Sequence, residues 1–399
     1  MTPRIPLAAP DITDAEIDAV TAVLRTPNLS LGPELAAFEA ALAVYHSVQF
    51  AIAVSSGTAG LHLALLTLGI GEGHEVIVPS FAFIAVANTV SQVRARPVFA
   101  EIDPVTLNLD PAAVERSVTP RTRAILVVHT FGVPAEMDGL KGIARRHNLV
   151  LIEDACEAIG AEFGDPPNSR RVGSFGDLAI LGFYPNKQIT TGEGGAVLAH
   201  DPTHAARLRS LRNQGRGPQR QVVVDGVEGR NSAAGEPDHF EIGYNYRLSE
   251  LACALGRVQL DRITEMLAMR RAAAQRYHAL LSKIPGLGLP PLALPHRVIS
   301  WSLYVVRLPL HPDSASAAGD RIQAALTALG IATGRYFAPI HRQPGWHDDF
   351  GASLAMPVTE SIASRTLALP FFNRITATQQ DQVSDTLNEA ILSSRNSIY

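Results

Sequence analysis

The sequence predicts an α/β protein, with a mostly parallel sheet of about seven strands covered by helices and a smaller α+β unit after it. Three observations carry this. First, short apolar runs recur through the first two-thirds of the 399-residue chain: Ala51–Val54, Val76–Val78, Val98–Ile102, Ala124–Val128, Leu149–Ile152, Leu178–Leu181 and Ala196–Leu198. Each is too short for a helix, and most are followed closely by Ser, Pro, Asp, His or Gly. Second, helical patterns stand between several of them. Gly57–Leu68 puts Leu61, Leu65 and Leu68 on one face, and Glu136–His147 carries Leu140, Ile143 and Ala144 with basic residues in its last turn. Strands apolar on both faces, alternating with helices, mean a sheet covered on both sides. Ligands of such sheets gather at the carboxyl ends of the strands.

Third, the pattern changes beyond the seventh run. A loop rich in Gly, Arg and Asn spans about Arg212 to Asp238. A long helical pattern begins near Ser249 and continues through Arg257, Leu260, Ile263 and Leu267 to about Leu281. The Pro-rich stretch Pro285–Pro295 reads as a connector. Ser302–Leu308 is strand-like, and Ala318–Leu329 and Thr378–Ile391 are helix-like. The expected division is a large domain, 1–262, and a small one, 263–399. Residues 1–25 are expected at the seam between them or at a dimer interface.

Hydrophobic residues make up 46 % of the chain and charged residues 18 %, which excludes disorder. A net charge of −4 gives no footprint for nucleic acid, though it leaves small anionic ligands open. The cysteines, Cys156 and Cys253, are too few for a disulfide framework and lack metal spacing, so no metal is expected. Met1–Pro10 has no apolar run fit for a signal peptide, and no stretch approaches a membrane helix. The expected location is the cytoplasm, with no membrane partner.

Three segments carry the chemistry. Ser55-Ser56-Gly57-Thr58-Ala59-Gly60 opens a helix after the first strand, where free N–H groups and the helix dipole suit an anion. An ordinary strand-to-helix turn would look similar. Leu151-Ile152-Glu153-Asp154-Ala155-Cys156-Glu157-Ala158 ends a strand with two acids placed to meet a ligand, although Asp154 could equally cap a helix. Gly182-Phe183-Tyr184-Pro185-Asn186-Lys187-Gln188-Ile189-Thr190-Thr191-Gly192-Glu193-Gly194-Gly195 sets a lysine in a Gly/Thr-rich turn between two strands. Burial there is expected to lower its amine pKa and make it a nucleophile toward an aldehyde.

Together these segments resemble the DegT/DnrJ/EryC1/StrS family of sugar aminotransferases, within the fold type I pyridoxal-phosphate (PLP) enzymes. The likeness runs from Ile5-Pro6-Leu7 and Leu31-Gly32-Pro33 to Leu369-Pro370-Phe371-Phe372-Asn373. It implies that Lys187 bonds covalently to PLP and that Asp154 pairs with the ring nitrogen. It implies further that Gly57 and Thr58 bind the phosphate, that Phe83 stacks on the ring, and that Glu157 lies near the ring hydroxyl. Asn245, in Gly243-Tyr244-Asn245-Tyr246-Arg247, would reach the phosphate of a neighbouring subunit, so a homodimer or larger homo-oligomer is implied. Two departures stand out: Gly182 where many members have a phosphate-binding Ser, and Glu157 where Gln or His is common. Weaker substrate candidates are Tyr184, Arg212, Arg247, Tyr336 and His341, and Arg216 and Arg220 with Arg212 could clamp a diphosphate or simply lie in a solvated loop.

The implied reaction moves an amino group from glutamate or glutamine to a keto sugar on a nucleoside diphosphate, the cofactor cycling between PLP and pyridoxamine phosphate (PMP). A cyclitol or other carbocyclic ketone is the nearest alternative. A PMP-dependent dehydratase is disfavoured because Lys187 stands where such relatives carry His. A non-catalytic regulatory protein is the alternative of another class. A nicotinamide dehydrogenase is disfavoured because no Gly-x-Gly-x-x-Gly follows the first strand.

Overall fold

The computed structural model describes residues 4–217, 222–224, 227–229, 238–346 and 354–396. All seven apolar runs are strands of one sheet: β1 (Phe50–Val54), β2 (Glu75–Pro79), β3 (Arg96–Ala100), β4 (Thr122–Val128), β5 (Val150–Asp154), β6 (Leu178–Gly182) and β7 (Gly195–Ala199). Their order is β1-β7-β6-β5-β4-β2-β3, with β7 antiparallel to both of its neighbours and the remaining pairs parallel.

The strands read as continuous apolar runs because the pleat sends alternate residues into two separate cores. The helices of the first half are α1 (Asp14–Leu24), α2 (Pro33–His46), α3 (Gly57–Thr67), α4 (Ala85–Gln92), α5 (Pro111–Ser117) and α6 (Met137–His147). Then come α7 (Pro202–Arg212), α8 (Glu250–Asp261) and α9 (Ile263–Leu281). Ile52, Val54, Ile180 and Val197 pack into the layer of α3, α4 and α7. Ala51, Ala53, Leu181 and Ala196 pack toward α2 and α8, while Ile77, Ile125 and Val127 pack toward α5 and α6.

The single long helix expected from Ser249 to Leu281 is in fact two, α8 and α9, meeting at Arg262. Beyond them lie β8 (Tyr304–Arg307), α10 (Pro312–Ala328), α11 (Pro357–Ala363), β9 (Thr366–Leu369) and α12 (Ala377–Asn396). β8 and β9 form an antiparallel pair. Tyr277 and Leu281 of α9 join Tyr304, Ile322, Leu367 and Leu387 in one core, the smaller α+β part.

The N-terminal segment is tied to both parts. Ile5 bridges to Ile331, and Asp11 meets Arg262 and Arg374. Glu16 is almost fully buried and accepts from Thr13, Gln259 and Arg262. Burial alone would raise its pKa, but the hydrogen bonds from Thr13, Arg262 and Gln259 outweigh burial and hold it at about 2, against an ordinary 4.5. The folded pKa lies below the unfolded one, so this stabilisation is whole above pH 4.5 and lost as pH falls toward 2. We expect Glu16→Gln to cost about 2 kcal/mol at pH 7, and the gap from wild type to close below pH 4 in urea unfolding at a series of pH values.

Candidate active site

The carboxyl ends of β1, β2, β4, β5 and β6 share one edge of the sheet. Because β7 runs back antiparallel, the 183–194 loop between β6 and β7 turns at that edge and carries Lys187 with it. The loop is closed tightly. Phe183 N donates to Gly194 O at 2.9 Å, Thr191 N to Phe183 O at 3.0 Å, Thr190 Oγ1 to Phe183 O at 2.9 Å and Lys187 N to Tyr184 O at 3.0 Å.

Lys187 Nζ donates to Glu157 Oε1 at 3.1 Å. Glu157 is itself fixed at two points. Its Oε2 accepts from Phe131 N at 2.9 Å, and its backbone oxygen accepts from Gln188 Nε2 at 2.7 Å. Phe131 sits at φ 56°, an uncommon conformation for a bulky residue, within the turn that aims this N–H at Glu157. Burial pushes the Lys187 amine pKa down, but the charge and hydrogen bond of Glu157, with help from Asp154, outweigh it, and the net direction is up. The lowered amine expected from the sequence is therefore reversed, because two carboxylates were built beside it.

Asp154 is buried and accepts one backbone hydrogen bond, from Cys156 N at 3.0 Å. Burial raises its pKa. Among the described residues no arginine pairs with it. A buried carboxylate with spare acceptor capacity suits a cationic N–H donor. Its neighbour Glu153 does not meet a ligand as expected, since adjacent strand residues face opposite ways. Glu153 accepts from His129 Nε2 and from the N–H groups of Gly173, Phe175 and Gly176, and is fully buried.

The anion cradle is at the start of α3. Ser56 Oγ accepts Ala59 N, leaving the Gly57 and Thr58 N–H groups outside the helical ladder. The space is close-built: a Cβ on Gly57 would lie 2.8 Å from Cys156 Sγ, and one on Gly195 would lie 2.7 Å from Gly57 N. A Cβ on Gly182 would meet Cys156 Cβ and Sγ at 3.0 Å, so Cys156 crowds the room a serine there would need. Phe83 is 63 % exposed at the end of β2, which excludes a core role. An anion cradle, a carboxylate for a cationic ring and a lysine on one edge match the parts of PLP.

Asn245 is exposed and held between Tyr244 and Tyr246, whose N–H groups donate to Leu211 O and Arg212 O. Tyr184 is 53 % exposed beside Lys187. Tyr336 is half-buried, and the charges of Glu157 and Lys187 both act on its phenol. Arg247 is half-buried and donates to Asn213 Oδ1 at 2.8 Å.

Two substrate candidates lie elsewhere. Arg212 is buried, with Nη1 on Glu39 Oε1 at 2.5 Å and Ala53 O at 2.6 Å, so it ties α7 to α2 and β1. Arg212 is therefore not free to clamp a diphosphate, while Arg216 is exposed and Arg220 lies outside the described residues. His341 has no exposed surface; its Nδ1 meets Ser80 Oγ at 2.6 Å and its Nε2 meets Glu360 Oε1 at 2.9 Å. Ser80 Oγ also accepts from His341 N. This network joins the loop after β2 to α11. We expect His341→Ala to cost about 3 kcal/mol by orphaning two partners and opening a cavity. The loss should show in denaturant melts, with the KM for either substrate unchanged.

No helix among the described residues is long and apolar enough to cross a membrane. No group of three or more His, Cys, Asp or Glu among the described residues could hold a metal ion.

Fold and site together define a PLP-dependent aminotransferase of fold type I. The chain belongs to the DegT/DnrJ/EryC1/StrS aminotransferase family, whose model matches residues 10–388. It is 38 % identical over 395 residues to the GDP-perosamine synthase of Caulobacter vibrioides, covering 98 % of this chain and 99 % of that protein. The structure of S. venezuelae DesV in complex with a ketimine intermediate superposes with a TM-score of 0.83 at 36 % identity, covering 98 % and 99 % of the two chains. The aminotransferase TlmJ from Streptoalloteichus hindustanus gives a TM-score of 0.87 at 29 % identity over the same shares.

Proposed function

We propose that this chain is a PLP-dependent sugar aminotransferase that transfers an amino group from glutamate or glutamine to a keto-deoxysugar linked to a nucleoside diphosphate. The observation that carries the reading is Lys187 Nζ on Glu157 at 3.1 Å, at the same sheet edge as a buried Asp154 that no arginine among the described residues neutralises. The similarity to GDP-perosamine synthase supports a GDP-linked acceptor.

When bound, PLP supplies the electron sink for proton removal from an amino acid. The residues do the rest. Gly57 and Thr58 N–H groups would hold the phosphate, and Phe83 would cover the ring. Asp154 would hold the proton on the ring nitrogen. Lys187 Nζ would anchor the cofactor, then as a free amine would take the proton from the donor Cα and pass it to the cofactor's C4′, with the same transfer run in reverse for the acceptor. Glu157 Oε1 would orient that amine by accepting its N–H. Tyr184, Tyr336 and Arg247 line the substrate side. Asn245 reaches a neighbouring subunit's phosphate in a homodimer or larger assembly. A boundary between a large domain, 1–262, and a small one, 263–399, is part of the same proposal.

The test is incubation of the PLP-loaded enzyme with L-glutamate and a GDP-linked keto-deoxysugar, followed by detection of the amino sugar. Amination of a cyclitol ketone instead would keep the aminotransferase and replace its acceptor. Loss of water from the sugar without amine incorporation would replace amination by dehydration.

A further inference from the structure

Arg270 on α9 is among the largest fully buried side chains, and among the described residues it has no carboxylate within ion-pair reach. Its guanidinium faces carbonyls instead. Nη1 donates to Trp301 O at 3.2 Å and Ser302 O at 3.0 Å, and Nη2 donates to Lys187 O at 3.0 Å. Nε is buried without a partner, and the group lies 5.6 Å from the centre of the Phe371 ring. Burial pushes the guanidinium down to about 10, with Asp11's charge opposing, so it remains a cation at neutral pH.

An unpaired buried cation destabilises a fold, and an apolar residue of like volume would pack there at lower cost. What Arg270 provides is geometric. Trp301 sits at φ 55°, so the 300–302 turn is bent where bulky residues rarely go. The same turn donates Ser300 N to Gly132 O and Ser302 N to Phe131 O. Gln188 Nε2 bridges Ser300 Oγ at 3.0 Å to the Glu157 backbone oxygen at 2.7 Å. The turn thus contacts the backbone on both sides of the Lys187–Glu157 pair. Among the described residues, Arg270 joins it directly to the carbonyl oxygen of Lys187.

We infer that Arg270 is a positioning residue for the reaction: its planar fork fixes the Lys187 peptide against the 300–302 turn and so sets where the amine stands relative to Glu157 and Asp154. The inference rests on the proposed role of Lys187. A lysine at 270 keeps the charge but cannot reproduce the fork.

The test compares Arg270→Lys and Arg270→Met with Arg276→Ala, which removes an α9 contact to Asp381 of α12 far from the loop. In the full-length apo protein, amide hydrogen exchange of residues 183–192 should speed up at least about tenfold in both Arg270 variants and stay at the wild-type rate in Arg276→Ala. In the PLP-loaded enzyme, kcat per folded protein should fall about 100-fold with the donor KM unchanged, the size expected for a misplacement of about 1 Å. Wild-type exchange in this loop in Arg270→Lys, or full kcat per folded protein, would overturn the inference. If Arg270→Met does not fold, Arg270→Lys alone decides. Faster exchange with Lys187 itself dispensable for turnover would instead overturn the role of Lys187.

Discussion

Replacing Lys187 by alanine is expected to reduce transamination at least about a thousandfold, with the fold intact. The argument is local. The only amine beside Glu157 is lost, and no second lysine can replace it: Lys141 and Lys283 lie on α6 and beyond the end of α9. Stability should fall modestly, because the fold favours the protonated amine through Glu157 and the substitution removes that pair. Glu157 keeps its hydrogen bond from Phe131 N. The variant should still take up PLP through the phosphate cradle, yet without a covalent link. A small primary amine added to the buffer should restore part of the rate, since the missing part is a single proton-carrying nitrogen. Stopped-flow rates of the donor half-reaction, with and without that amine, measure this. An Ala variant at near-normal rate would end the assignment.

Asp154→Asn should lower the donor half-reaction about 100-fold or more while leaving the apo protein at least as stable as wild type. The two effects have one cause. Burial raises the Asp154 pKa, so the charged form is penalised in the fold. A group with a raised folded pKa weakens stability at every pH above its unfolded value, and the neutral amide removes that penalty. In catalysis the charge is needed, because an amide cannot hold the ring proton that makes the cofactor an electron sink. Thermal melts of the apo proteins and single-turnover rates of the loaded ones should therefore move in opposite directions. A carboxylate serving only the fold would lose both together.

Most of the sheet was readable because each strand carries a largely buried apolar run closely followed by a turn residue. Helices α1 and α2 were harder. α1 is largely exposed, and α2 is rich in alanine on every side, so neither shows a clean stripe. The break at Arg262 was hidden because Leu260, Ile263 and Met266 keep a helical period across it. Lys187, Asp154, Gly57 and Phe83 lie close to strand ends in distinctive local sequence, and chain order alone brings them to one edge. Polar residues buried by distant partners left no local sign. Arg212 is fixed by Glu39, 173 positions away, and His341 by Ser80, 261 positions away. Arg270, within Met269-Arg270-Arg271-Ala272, looks like an ordinary exposed helical position until Trp301, Ser302 and Lys187 close over it.

The central claim is that Lys187 and Asp154 make this chain a PLP enzyme that accepts an amino group from an amino acid. The visible absorption spectrum of the PLP-loaded protein, before and after L-glutamate, tests it most directly. The account predicts a long-wavelength band from lysine-bound cofactor that converts to the shorter-wavelength band of pyridoxamine phosphate. A protein that forms no such band with PLP would contradict it.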